Sequence, residues 1–156
     1  MPDSAPLASA LLRPLLELMA HHLGGAVILH AAPSGQILLA VGGLPGLAFD
    51  KAVGATAEDY VGRFQVYAQD GSEAKMEALP VVRAMTTGEP VVDEVWLLGA
   101  GGGAAPVPVF VDSYPLKDDN GAVIGVIATA TDPKRWAMRA ERLKQSISLR
   151  DRFVRD

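Results

Sequence analysis

The spacing of apolar positions changes along the chain and divides it into segments. Between Leu7 and Leu23 the spacing is helical: Leu12, Leu16, Met19 and Leu23 step by four, three and four residues and share one stripe, which Leu11, Leu15 and Leu18 widen. After Gly24-Gly25 the pattern becomes extended. Ala26–Ala31 and Gln36–Val41 are β-prone runs separated by Ala32-Pro33-Ser34-Gly35, a connection of hairpin length. Gly42 to Gly54 reads as loop. Thr56-Ala57-Glu58-Asp59 predicts a helix start, with Thr56 as N-cap and acidic residues where the helix dipole favours them. Met76–Thr87 predicts a second helix, closed by Gly88 and stopped by Pro90.

The second half is strand-rich. Val91–Leu98, Val107–Tyr114 and Ala122–Thr131 are extended runs, and Asp118-Asp119-Asn120-Gly121 carries the Asn-Gly signature of a tight turn. Ala122–Thr131 is apolar on both faces, which predicts a central strand ended by Pro133. From Lys134 onward the chain is charged and helical. Five strands, two before and three after a helical middle, joined by hairpin-length links, predict an α+β domain with an antiparallel sheet. The expected organisation is an amphipathic helix over residues 1–25, a sheet domain over 26–132 and a terminal helix over 133–156.

Composition narrows the chemistry. At 156 residues, 49% of them hydrophobic, the chain can bury an aliphatic core. A net charge of −4 without a basic stripe argues against nucleic acid or an anionic membrane as partner. With no cysteine, disulfides, thiolate metal sites, thiol nucleophiles and cysteinyl flavin adducts are excluded. The leucine-rich start lacks a positive n-region, and Arg13, Pro14, Glu17, His21 and His22 make it too polar to span a bilayer. A cytoplasmic, soluble protein is expected.

Several motifs fail on context. Gly99-Ala100-Gly101-Gly102-Gly103-Ala104 matches a dinucleotide fingerprint, but Pro106 and Pro108 follow it at the start of a β run, where the fingerprint needs a helix. Asp118–Gly121 lacks the later bidentate Glu of a calcium loop. His21 and His22 diverge by about 100° on a helix, and His30 sits on a strand, so a histidine metal cluster is not expected. Asp93 and Glu94 are strand neighbours and should face opposite ways, which excludes a paired acid and base. No serine lies in a nucleophile elbow. No catalytic site is expected.

Five short stretches in order resemble the PAS domains of bacterial signalling proteins. Gly35-Gln36-Ile37-Leu38 is similar to the family's second strand, and Glu58-Asp59-Tyr60-Val61-Gly62-Arg63 to a helix exit. Pro80–Val91 resembles the segment joining the last pocket helix to the third strand, Ser113–Asp118 the "s-a-x-P-l-x-d" stretch, and Gly121–Gly125 with Asp132 the terminal strand and its closing acid. The chain departs from the family at Ala40-Val41-Gly42, where Asn is common, and at Asp132-Pro133-Lys134, which replaces D-i-T.

The resemblance implies a five-stranded antiparallel sheet with short helices on one face, flanked by terminal helices. It also implies a pocket lined by Val27, Leu29 and Ala31, by Val109, Val111 and Ser113, and by Ile124, Val126, Ala128 and Ala130, closed by Val82 and Met85. A filled core is the alternative, since alternation alone shows only burial. Its cofactor, if any, is not identified, and a small molecule is the expected ligand. Asp132 would anchor the junction to the exit helix.

Trp136, Ala140, Leu143, Ile147, Arg150 and Val154 then step as a heptad seam spoiled by one Arg, which predicts a homodimer through the terminal helices, with Leu12, Leu16, Met19 and Leu23 contributing. Leu149–Asp156 is similar to the segment preceding the phospho-accepting helix of sensor histidine kinases, although the acceptor His is absent. The expected function is a sensory module feeding such a kinase. A ligand-free interaction module, the input domain of a diguanylate cyclase or transcription regulator, and a hot-dog-like enzyme are the alternatives.

Overall fold

Strand pairing fixes the described part of the chain, which in this computed structural model is residues 5–44, 46–47, 49–59, 65–99 and 105–154. Helix α1 spans Ala5–Leu23 and is followed by strands β1 (Gly25–Ala31) and β2 (Ile37–Gly42). A short strand β3 (Val66–Tyr67) precedes helix α2 (Pro80–Thr87) and strands β4 (Val91–Leu98), β5 (Val107–Lys117) and β6 (Val123–Thr131). Helix α3 (Pro133–Val154) follows, and two single 3-10 turns occupy Asp50–Ala52 and Met76–Ala78. The strands form one six-stranded antiparallel sheet in the order β2-β1-β6-β5-β4-β3.

The α+β antiparallel class is therefore as the sequence predicts, with six strands in place of five. The additional one is β3, which pairs Val66 with Leu98 and Tyr67 with Leu97 at the sheet edge. Two residues are too few to show a period. Strand β6 is central, bonded to β1 along Gly125–Thr131 and to β5 along Val123–Thr131.

The predicted helix over Met76–Thr87 is split. Residue Leu79, immediately before Pro80, is extended at φ −62° and ψ 138°, because a following proline disfavours helical backbone. Pro80 then opens α2 at its first turn, where its missing N–H is no loss. Gly88, left-handed at φ 69°, closes the helix by donating its N–H to the Ala84 carbonyl. The Thr56 start is realised as a reciprocal box: Asp59 N–H donates to Thr56 Oγ1 at 3.3 Å and Thr56 N–H to Asp59 Oδ2 at 3.2 Å. The family-like stretch Tyr60–Arg63 and the glycine-rich Ala100–Ala104 lie outside the described residues.

The sheet buries both faces by different means. On the concave side Ala26, Ile28, Ile37, Trp96, Leu98, Val109, Ala128 and Ala130 form the main core with Phe49 and Leu79 from the connecting segments. Beside it, Ala84 of α2 packs on Val91 and Val126. On the opposite side Leu16 and Ala20 of α1 pack on Val27 and Val41, with Leu23, Leu39 and Ile127 around them.

Three bulges reset the alternation that patterns these faces. Leu38 is the extra residue of β2 opposite Leu29 and His30, and it is exposed. Val92 and Asp93 together oppose Asp112, with Asp93 left-handed at φ 62° and its N–H donated to Asp112 Oδ1 at 2.7 Å. Ile124 is the extra residue of β6 opposite Leu116 and Lys117.

Helix α1 docks through a close backbone approach. Gly42 is left-handed at φ 73°, and a Cβ there would meet the Gly25 carbonyl oxygen at 2.2 Å and Ala20 Cβ at 2.7 Å. Strain and clash therefore act at the same position. Gly42→Ala is expected to cost about 2 kcal/mol or more of unfolding free energy, measured as a lowered urea midpoint; an unchanged midpoint would contradict the docked position of α1.

Candidate functional site

A cavity of about 50 Å3 lies between the sheet and the segment entering α2. It lies where small residues adjoin across neighbouring strands: Ala128 pairs with Ile28 and Ser113, and Ala130 pairs with Ala26 and Val111. Trp96 and Leu98 of β4 and Val66 of β3 wall one side. Leu79, Pro80 and Val81 cover it. The break before Pro80 is what allows Leu79 and α2 to close the same space from two directions.

Four residues assigned to a pocket from sequence line this cavity: Val111, Ser113, Ala128 and Ala130. Val109 is fully buried beside it, and Val126 is fully buried under α2. From α2, Val82 packs against the main core and Met85 against the Ala84, Val91 and Val126 cluster, while the neighbouring Leu79, Pro80 and Val81 do the lining.

The assignment for β1 is corrected. Val27 and Leu29 belong to the cluster under α1, and by alternation Ala31 shares their face, so Ile28 and His30 are the strand's cavity residues. A phase error of one residue moves a whole strand set to the other face. Ile124 is also corrected: as a bulge residue its side chain is 57% exposed. The residues missed from sequence, Ile28, His30, Trp96 and Leu79 among them, carry no local signal beyond apolarity or a lone histidine.

Polar chemistry in the cavity is sparse. His30 is 4% exposed, and its Nδ1 lies 3.0 Å from the Gly35 carbonyl oxygen. A carbonyl only accepts, so Nδ1 carries the proton and Nε2 is the acceptor. Burial pushes the imidazole below its ordinary value, with the Gly35 bond opposing, so the ring is neutral at pH 7. Ser113 is fully buried, and its Oγ has no hydrogen-bond partner among the described residues.

An ion pair locks the cover. Arg83 of α2 donates from Nη1 and Nη2 to Glu94 Oε1 and Oε2 at 2.8 and 2.6 Å. Trp96 Nε1 donates to Glu94 Oε1 at 3.1 Å, which uses the indole's one donor. The Asp93 bulge turns Glu94 toward α2, the same side as Val91. The two Arg83 hydrogen bonds, reinforced by Trp96, hold the Glu94 carboxyl below its ordinary value against partial burial, and the same pairing raises Arg83.

The junction at Asp132 is a helix cap. Asp132 Oδ1 accepts the Lys134 N–H at 2.9 Å, its carbonyl accepts from Arg135 at 3.1 Å and Trp136 at 3.3 Å, and Pro133 occupies the first helical position. Trp136 Nε1 donates to Thr131 Oγ1 at 2.9 Å, tying α3 back to β6. Arg139 donates to the His22 carbonyl in the last turn of α1, and the Arg135 guanidinium lies against Gly24. Cationic groups at a helix C-terminus complement its dipole.

The seam residues divide. Leu16 is corrected: at 2% exposure it is committed to this chain's own sheet, and Leu23 is partly buried beside it. Leu12 and Met19 remain exposed, as do Leu11, Leu15 and Leu18. On α3, Trp136 and Ala140 border a groove with Phe110 and Asp112 of the sheet. Leu143, Ile147 and Val154 are exposed. Among the described residues no helix is long and apolar enough to cross a membrane.

No protein-family model and no curated protein matches the sequence. Solved structures do. An RNA-binding light-oxygen-voltage receptor matches at 20% identity and TM-score 0.52 over 97% of this chain, which spans 41% of that receptor's length. The dark structure of the blue-light photoreceptor Aureochrome1 LOV matches at 15% identity and TM-score 0.51, covering 95% of this chain and 96% of that one. A light-oxygen-voltage domain studied with a flavin analogue matches at 14% identity and TM-score 0.50, over 83% and 93% of the two chains. At these identities the likeness is one of fold, and the fold is of the PAS/LOV type. A flavin does not fit these residues: about 50 Å3 is far below the roughly 300 Å3 at which pockets begin to hold ligands of drug size, and no cysteine is present to form an adduct.

Two pH-dependent outcomes follow. Unfolded His30 binds a proton below its ordinary value of about 6.5, whereas the folded imidazole, its affinity depressed, resists it. Stability is therefore complete above that pH and lost as pH falls toward the folded value, at no more than about 1.4 kcal/mol per unit. His30→Leu should flatten the melting-temperature profile between pH 7 and 5; an unchanged slope would contradict a neutral buried ring. The Glu94 contribution is present above about pH 4.3 and disappears as pH falls through its lowered folded value. Because the pair is partly exposed, Glu94→Ala should cost about 1–2 kcal/mol at pH 7, read by urea unfolding, and progressively less as pH falls below the ordinary glutamate value and the carboxylate is protonated.

Proposed function

We propose that this chain is a cytoplasmic sensory module that reports the state of its cavity through α3 to an attached output domain, as the input region of a bacterial sensor histidine kinase. One observation carries the reading. The strand that floors the cavity with Ala128 and Ala130 is the strand that ends at Asp132 and continues as α3. One residue, Thr131, separates the last floor position, Ala130, from the helix cap at Asp132, so a shift of β6 moves the cap. Trp136 and Thr131 stiffen the same turn.

The helix is suited to an intermolecular role. Over its 22 residues none is buried, and Leu143, Ile147 and Val154 present 62%, 45% and 76% of their surface. A second copy placed along that stripe would cover it in the manner of a coiled coil. The exposed leucines of α1 lie on the element that Arg139 ties to α3 and would extend the same interface. A small molecule is the proposed signal, and the similarity of Leu149–Asp156 to the segment before a phospho-accepting helix favours a kinase over the other output domains.

The test is mass in solution. Light scattering behind size exclusion is expected to give a dimer for the full chain and a monomer for the double variant Leu143→Glu, Ile147→Glu, whose positions face solvent in the single chain. Equal masses for the two proteins would defeat the dimeric relay.

A further inference from the structure

The cavity's few polar atoms specify a ligand class. This inference rests on the sensory reading and deepens it. Ser113 is 0% exposed, faces the cavity, and its hydroxyl is unpartnered among the described residues. Buried hydroxyls are nearly always bonded, and one left alone disfavours the empty state. His30 faces the same space two strands away, with Nδ1 committed to Gly35 and Nε2 left as an acceptor. The indole donor of Trp96 is already committed to Glu94.

These facts constrain the guest in three ways. Among the described residues no Lys, Arg, Asp or Glu lines the cavity, so a charged group would enter without a counter-charge from them. An acceptor at His30 calls for a donor, and the Ser113 hydroxyl can serve as donor to the same atom that donates to His30. The volume of about 50 Å3 is about a third of the roughly 150 Å3 cavity that takes up benzene, which leaves room for on the order of two to four non-hydrogen atoms. A single small hydroxyl group with a short apolar tail meets all three conditions; a carboxylate fails on charge and on the missing donor, and a flavin or a tetrapyrrole fails on volume.

We infer that the cavity is a site for a small, neutral hydroxyl compound of the short-chain alcohol class, held by Ser113 and His30 under the lid of Leu79, Pro80 and Val81. Alcohol entry satisfies the serine and presses on Ala128, the β6 residue paired with Ser113.

The experiment is a titration of the full chain with 1-propanol, followed by amide shifts, with propionate as the charged counterpart of similar size. The expected result is saturable shifts on β1, β5 and β6, absent with propionate and about tenfold weaker in Ser113→Ala. The ligand-free Ser113→Ala protein should melt no lower than the parent, because the substitution removes a buried group that has no partner. A lower melting temperature would mean that the hydroxyl already has a structural bond, and would overturn the proposal. Propionate binding as tightly, undiminished propanol affinity in Ser113→Ala, or no saturable shift at all would each overturn it too. The mass measurement on the Leu143→Glu, Ile147→Glu protein is independent: failure of the titration with the dimer intact removes the ligand class and leaves the relay standing.

Discussion

The structure depends on the double pairing of β6. Hydrogen bonds to β1 and β5 run along nearly its whole length, so its position is set from both edges, and its two faces belong to different compartments. Ala128 and Ala130 face the core and cavity, while Ile127 lies under α1. A strand held in this way has little freedom to slide in register, since a one-residue slip would drive Ile127 into the space the alanines leave open. Movement as a body with its neighbours remains available to it. In the proposed relay, that constraint makes the end of β6, and not one of the loops, the exit for a change in the core.

Much of this architecture is legible in the residues, and the failures have physical causes. The antiparallel class, the central place of the last strand and the turn at Asp118–Gly121 follow from turn chemistry and from apolarity on both faces of one run. The turn is held by Asp118 Oδ1, which accepts from Asn120 and Ala122. The face of β1 was not legible for the same reason that β6 was. Ala26-Val27-Ile28-Leu29 is apolar throughout because both of its sides are covered, and a continuous apolar run contains no phase. His30, the one polar residue there, points inward to a carbonyl in its own hairpin, where surface-seeking logic would turn it out.

Bulges account for the other errors of placement. Ile124 shares its parity with Val126 and Ala128 in the sequence yet stands as the extra residue opposite two paired neighbours. Val91 and Glu94 differ in parity yet face the same helix, because Val92 and Asp93 together occupy one place in the ladder. The second bulge has a consequence for the cavity. It brings Glu94 to Arg83 and Trp96, so the residue that reads from sequence as one of two opposed strand acids becomes the fastening between lid and wall. A left-handed Asp is rare enough that no spacing rule would place one there.

The two terminal helices extend the argument from the core to the surface. Asp132 caps α3 at the point where β6 stops, and Pro133 removes the N–H that a first helical residue would leave unsatisfied, so strand and helix meet with no flexible linker. Arg139 and Arg135 then contact the end of α1 at His22 and Gly24, and α1 in turn packs over Val27 and Val41. The exit helix is thus connected to the sheet by two routes, one through the backbone of β6 and one across α1. A shift confined to β6 would have to break the contacts with α1, whereas a shift of β1 and β6 together would preserve them. Because His30 of β1 and Ala128 of the adjacent β6 line the same cavity, a guest of the proposed kind, held by His30 and pressing on Ala128, would act on both strands at once, which is the movement the two routes allow.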